Sequence, residues 1–332
     1  MNMNWLHDIL FQRAKDWTYF PILSSQTPVR SEGRVILPNQ SYISVFLRSM
    51  RVVDVRKGMK KFYGAVYSYA SLPLLAGIGQ FQAVISPAAL RDLDINHLDR
   101  VVSINHRLLG PVPYRGGDLK LEVGLFSIKA VDLAGPFLSV LEDLASTAGV
   151  SFFSAACPFV QPLQRGINLL MGIQGDNVLE VGLTRTFDKP ETGQFLVMRA
   201  PKGTVDLSSN LLDEDYRLID RQGRPISEYP YMVLSIEATA EREDWFQIPE
   251  LQVAYNLLQM QFRDDKMPAV KAAWDNFQRV TLTCPDLLYK DAEKLLNNKV
   301  KPLIDKFLSP TPTAAGRIEL PELIEMDLYD HG

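Results

Sequence analysis

Two glutamates stand in nearly identical company. One run reads Gly117-Asp118-Leu119-Lys120-Leu121-Glu122-Val123-Gly124-Leu125, and the other Gly175-Asp176-Asn177-Val178-Leu179-Glu180-Val181-Gly182-Leu183. Paired carboxylates are the usual material of general acid/base chemistry, so Glu122 and Glu180 are catalytic candidates. Each shares a strand face with a glycine, Gly124 or Gly182. A glycine inside a strand gives either a close-packed neighbour or a backbone that a ligand approaches closely. The bland reading of the glutamates is solvent-facing charge on a sheet surface.

His106 is the third catalytic candidate, since histidine alone titrates near neutrality when unperturbed. The chain has four histidines, His7, His97, His106 and His331. His97 and His106 lack the i,i+4 spacing of a metal-binding pair. No Gly-x-x-x-x-Gly-Lys, His-Glu-x-x-His, Cys-x-x-Cys or Gly-x-Ser-x-Gly occurs. Gly77-Ile78-Gly79-Gln80-Phe81-Gln82 fails as a dinucleotide loop, because Gln82 stands where Gly or Ala is required. Asp213-Glu214-Asp215 is the densest acidic loop and lacks the spaced ligands of a calcium loop. The expectation is no cofactor and no metal.

The elements that must hold these residues follow from periodicity. Both copies of the repeat alternate apolar and polar residues, which predicts half-buried strands in one sheet. Helical patterns at 136–148 and 162–170 lie between them. A connection that long permits parallel pairing. Residues 41–56 predict a strand whose apolar face shifts from Ile43, Val45 and Leu47 to Met50 and Val52, the mark of a bulge. Residues 61–70 predict its antiparallel neighbour, with Tyr63, Tyr67 and Tyr69 on one face as cross-strand packing or a stacking platform. Residues 92–109 read as helical, followed by a turn-rich lead-in at Leu108-Leu109-Gly110-Pro111. Asp188 to Gly193 predicts a hairpin into 194–200, and Tyr229 to Ala240 a strong strand. Three helical patterns follow, with Pro249 and Pro268 in first turns and Pro302 positioned to kink the third.

The predicted fold class is α+β: a mixed β-sheet or β-sandwich with an inserted helical crossover and a C-terminal helical layer. The expected organisation is a β-rich region over 1–245 with an N-terminal amphipathic helix, helices over 246–308, and a linker with an acidic, apolar tail over 309–332. Apolar residues make up 46% and charged residues 22% of the 332, which suffices for a sizeable core. A formal charge of −4 argues against general nucleic-acid binding. Cys157 and Cys284 give no disulfide framework. No secretory pattern and no apolar run of spanning length appear, so the expected setting is cytoplasmic, without a transmembrane segment.

Two terminal segments suggest docking. Trp5 and Ile9 belong to an apolar stripe on the first helix. Ile318, Leu320, Leu323, Ile324, Met326, Leu328 and Tyr329 lie among five acids after a Ser/Pro/Thr/Ala linker. Such a tail suits a protein partner or another copy of the chain, and packing on its own domain is the alternative. The expectation is a non-catalytic interaction or scaffold protein in a cytoplasmic assembly. The competing readings are a hydrolytic or transfer enzyme using Glu122, Glu180 or His106, and a peripheral membrane module of C2 type.

Overall fold

The bulge expected in residues 41–56 anchors the architecture. Strand β2 (Tyr42–Arg51) pairs antiparallel with β12 (Tyr231–Thr239). Val233 faces Ser49 and Leu234 faces Leu47, so Arg48 is the extra residue. One inserted residue flips the alternation. Ile43, Val45 and Leu47 before it, and Met50 and Val52 after it, therefore all reach the same core. Arg48 is turned to the opposite face.

The computed structural model describes residues 17–29, 33–53, 56–57, 60–75, 77–85, 102–129, 178–201, 203–205, 207, 211–220, 222–264, 267–308 and 320–329. The predicted first helix up to Asp16, the crossover helices and the linker lie outside them. The remaining strands are β1 (Trp17–Ile22), β3 (Arg56–Lys57), β4 (Lys60–Leu74), β5 (Gly77–Ile85), β6 (Val102–Pro113), β7 (Leu119–Lys129), β8 (Val178–Phe187), β9 (Gly193–Arg199), β10 (Leu211–Leu212) and β11 (Leu218–Ile219). One sheet runs β1-β9-β12-β2-β6. In the second, β4 pairs with β3, β5 and β7, and β7 pairs with β8. All named pairs are antiparallel. The fold is α+β. The sheets share one core, with Ile43, Val45, Phe195, Met232 and Leu234 from the first meeting Val66, Leu72, Leu121, Val123 and Val181 from the second.

The repeated segments are neighbours in the second sheet, as expected, but they pair antiparallel. Val123 faces Leu183, Gly124 faces Gly182, and Leu125 faces Val181. A connection over 130–177 is long enough for either direction.

Three further expectations are corrected. Strand β4 lies across the core from β2 rather than beside it, because its inward residues Val66, Ala70 and Leu72 complete the second sheet. Residues 102–109, read as helical, belong to β6. Its bulges against β2 blur the period-2 pattern, and as an edge strand it tolerates Pro111 and Pro113, which cannot donate to a ladder. The turn at 188–192 joins β8 and β9, which lie in different sheets and do not form a hairpin. Its backbone bonds instead to the 34–36 segment, through Ile36 N–H to the Pro190 carbonyl at 2.9 Å and Thr192 N–H to the Arg34 carbonyl at 2.9 Å.

Two smaller bodies complete the described part of the structure. Residues 211–220 and 222–230 cover part of the first sheet's outer face, where Leu212, Tyr216 and Leu218 pack on Leu196, Met198 and Val233. Helices α1 (Pro249–Arg263), α2 (Met267–Thr283), α3 (Tyr289–Lys294) and α4 (Lys301–Leu308) build a separate core around Leu258, Phe277 and Leu295. A π-helical turn, Leu295–Val300, joins α3 to α4 directly before Pro302. Lys301 N–H bonds to the Leu296 carbonyl there, and this wider turn accommodates a proline that an α-helical ladder cannot. No helix among the described residues is long and apolar enough to cross a membrane.

Candidate functional site

The outer face of the first sheet carries a built polar cluster centred on the bulged residue. Arg48 is 9% exposed. Its Nε donates to Ser235 Oγ at 2.8 Å and one terminal nitrogen to Asn105 Oδ1 at 2.6 Å. The other terminal nitrogen pairs with the Glu237 carboxylate. The guanidinium lies 4.3 Å from the Phe46 ring centroid and 5.2 Å from that of Tyr216. Planar stacking plus a fork of donors is the geometry that arginine supplies and lysine does not. The cluster fixes Glu237 with its carboxylate at the surface.

Beside it the margin between the sheets opens into a groove of about 440 Å³. The volume falls in the range of small-molecule or peptide pockets. Tyr19 of β1 and Phe195 of β9 form one wall, with ring centroids 5.3 Å apart. Arg185 and Phe187 of β8 stand opposite. The Arg185 guanidinium lies 4.0 Å from the Tyr19 ring centroid and 5.4 Å from that of Phe187. Burial raises the Tyr19 pKa, partly offset by Arg185. Leu23 is exposed at the groove, and Lys189 also lines it. A second hollow of about 340 Å³ shares Thr192, Gly193, Gln194 and Ile236 with the first and reaches Ser235 and Glu237. Gln194, in both linings, is buried, and its Oε1 has no hydrogen-bond partner.

The structure does not bring the three catalytic candidates together. Glu122 faces Thr184, four residues along β8 from Glu180. The two backbone positions are therefore about 13 Å apart along the strand. Glu180 is buried and accepts from Arg199 at 3.0 Å. Glu122 is half-buried opposite Tyr69. His106 sits in the other sheet, opposite Leu47, and burial followed by the neighbouring Arg107 lowers its pKa. Of the tyrosines read as one face, Tyr67 is buried opposite Gly124, which is cross-strand packing.

The tail packs on its own chain in place of the free segment expected. Leu320, Leu323, Met326 and Leu328 are buried in the helical core. Tyr255 Oη donates to the Pro321 carbonyl at 2.8 Å, and Gln259 reaches the Leu320 and Pro321 carbonyls. Ile324 is 65% exposed. Tyr329 enters a buried junction in which its hydroxyl and that of Tyr42 donate to Asp291 Oδ2 at 3.2 and 2.6 Å. Trp5, Ile9 and Ile318 lie outside the described residues.

Sequence reading missed Arg185, Gln194 and Arg48. The bulge signal pointed at Arg48, but no local pattern tells that Tyr19 and Arg185 meet across two sheets. Comparison with known proteins finds no matching family model, no matching curated protein and no matching solved structure.

Proposed function

We propose that the chain is a non-catalytic interaction protein, and that the sandwich groove, rather than a free terminus, receives its partner. One observation carries this reading: the buried carboxylates described above are engaged within the chain. Glu180 is held by Arg199, and Asp291 by Tyr42 and Tyr329. A general acid or base has to exchange its proton with a substrate, and these groups serve internal contacts instead. The groove offers recognition features in their place: aromatic walls, an exposed leucine and a stacked arginine. The partner is a protein or a second copy of the chain. A cytoplasmic setting belongs to the same reading, consistent with the buried free thiol of Cys284.

The test is affinity capture from the native source with the full chain and with Leu23→Asp, read by quantitative mass spectrometry. Leu23 is 59% exposed, so the variant keeps the fold. A partner set depleted at least about tenfold, the effect of losing one buried apolar anchor, is the expected result. An unchanged partner set overturns the reading. So does a hydrolytic activity of the purified chain that Glu122→Gln or His106→Ala abolishes.

A further inference from the structure

We infer that helix α1 pairs with the same helix of a second copy, so that the chain forms a weak antiparallel dimer through a surface that shares no residue with the groove. Helix α1 is apolar on two faces. Leu251, Ala254, Tyr255, Leu258 and Phe262 are buried in the helical core. Val253, Leu257 and Met260 lie outside it, at 71%, 42% and 60% exposure. Steps of four and three residues set those three in one stripe along the helix. Single exposed apolar residues are ordinary on a surface, whereas a stripe at this spacing is the seam of a helix pair.

The chemistry around the stripe selects a second copy as its occupant. From Leu251 to Phe262 the helix carries no charged residue. Its exposed polar neighbours are the amides Gln252 and Asn256. An amide both donates and accepts, so an identical amide satisfies it, as an identical charge does not. The charges of the helix, Glu250 in its first turn and Arg263 in its last, decide the direction. Parallel pairing sets Glu250 against Glu250 and Arg263 against Arg263. Antiparallel pairing about a two-fold axis beside Leu257 brings the Glu250 end of each copy to the Arg263 end of the other, and opposes the two macrodipoles. The same axis sets Val253 against Met260 of the second copy. Asp264, the C-cap residue, offsets part of the charge gain, so the apolar stripe supplies most of the attraction. One helix face about 22 Å long and about 10 Å wide stays below the roughly 1,000 Å² of a stable complex, so the dimer forms and dissociates with concentration.

The experiment is sedimentation equilibrium of the full chain between about 10 μM and about 1 mM, the span in which a pairing of that size dissociates. A reversible monomer–dimer equilibrium is expected. Val253→Glu and Met260→Lys each weaken it at least about tenfold, the effect of losing one buried anchor. Both positions are mostly exposed, so each variant keeps its melting midpoint. Mixed one to one, the two variants regain a dimer. The Val253→Glu site of one copy then faces the Met260→Lys site of the other, and the second contact keeps Met260 on Val253. A monomer at every concentration, a dimer untouched by either variant, or a mixture no more associated than its components overturns the inference. Leu23→Asp leaves this dimer intact. A dimer lost in Leu23→Asp and kept in both α1 variants belongs to the groove, and overturns the inference while the interaction reading stands.

Discussion

Gly124 and Gly182 face each other across β7 and β8, at the centre of the repeated segments. A Cβ on Gly124 would sit 2.9 Å from Phe126 Cε2 and 3.3 Å from Leu179 Cδ1. Phe126 is two residues along the same strand, so its ring folds over the space the glycine leaves. Tyr67 stands across from Gly124 on β4. The missing side chain is thus used by packing, which is one of the two readings open from sequence. Gly124→Val is expected to destabilise by about 1–3 kcal/mol, the scale of overpacking. Thermal and urea unfolding check it.

What the sequence revealed and what it hid divide along the range of the contact. The β2 bulge was legible because a flip of apolar face is recorded in five neighbouring residues, Ile43 to Val52. Pro249 and Pro268 marked helix starts for an equally local reason, a fixed φ and an absent donor. Strand β6 was misread because its bulges against β2 interrupt the alternation. The direction of β8 against β7 is not written in either strand. The groove was invisible, since Tyr19 and Arg185 come from different sheets and no periodicity joins them.

The buried Asp291 makes stability depend on pH. Burial raises its pKa above the ordinary value, against hydrogen bonds from Tyr42 and Tyr329 and nearby lysines that lower it. The folded state therefore binds the proton more tightly than the unfolded chain. Its contribution to stability is fully present below the unfolded value near 3.8 and is lost as pH rises through the folded value. Asp291→Asn keeps an acceptor for both tyrosines and removes the titration. The expected outcome is a variant whose stability relative to the parent rises with pH from about 4 upward, measured by urea midpoints across a pH series. A constant difference would exclude Asp291 as the titrating group.

Arg48 tests the bulge as a positioning device. Its three donor positions serve Ser235, Asn105 and Glu237. Arg48→Lys keeps the charge and cannot serve all three in one plane. Loss of about 1–3 kcal/mol is expected from polar groups left without partners. Glu237→Gln should cost less, because its side chain is 43% exposed and water replaces the lost contact. A ranking in which Glu237→Gln is the more damaging would show that the ion pair, and not the arginine's packing and forked bonding, holds the cluster.

The tail gives the sharpest contrast between two outcomes. As a free acidic segment, its removal would leave the thermal midpoint unchanged. The structure instead puts Leu323 at 5% and Leu328 at 2% exposure in the helical core, with Ile324 between them at 65%. The short 3₁₀ turn Leu323–Glu325 produces that alternation, and its first residue faces inward. Tyr255 and Gln259 of α1 donate to the backbone before it, and the Tyr329 hydroxyl closes it by accepting from Arg242 N–H at 2.9 Å. Leu323→Ala is therefore expected to cost about 2–5 kcal/mol, and Ile324→Ala no more than about 0.5 kcal/mol. Deleting 309–332 should lower the midpoint, because it uncovers the buried hydroxyl of Tyr42 and carboxyl of Asp291 along with the apolar core. Differential scanning calorimetry of the three variants decides it. Equal small effects from Leu323→Ala and Ile324→Ala, with an unshifted midpoint on truncation, would return the tail to solution and make it available to a partner.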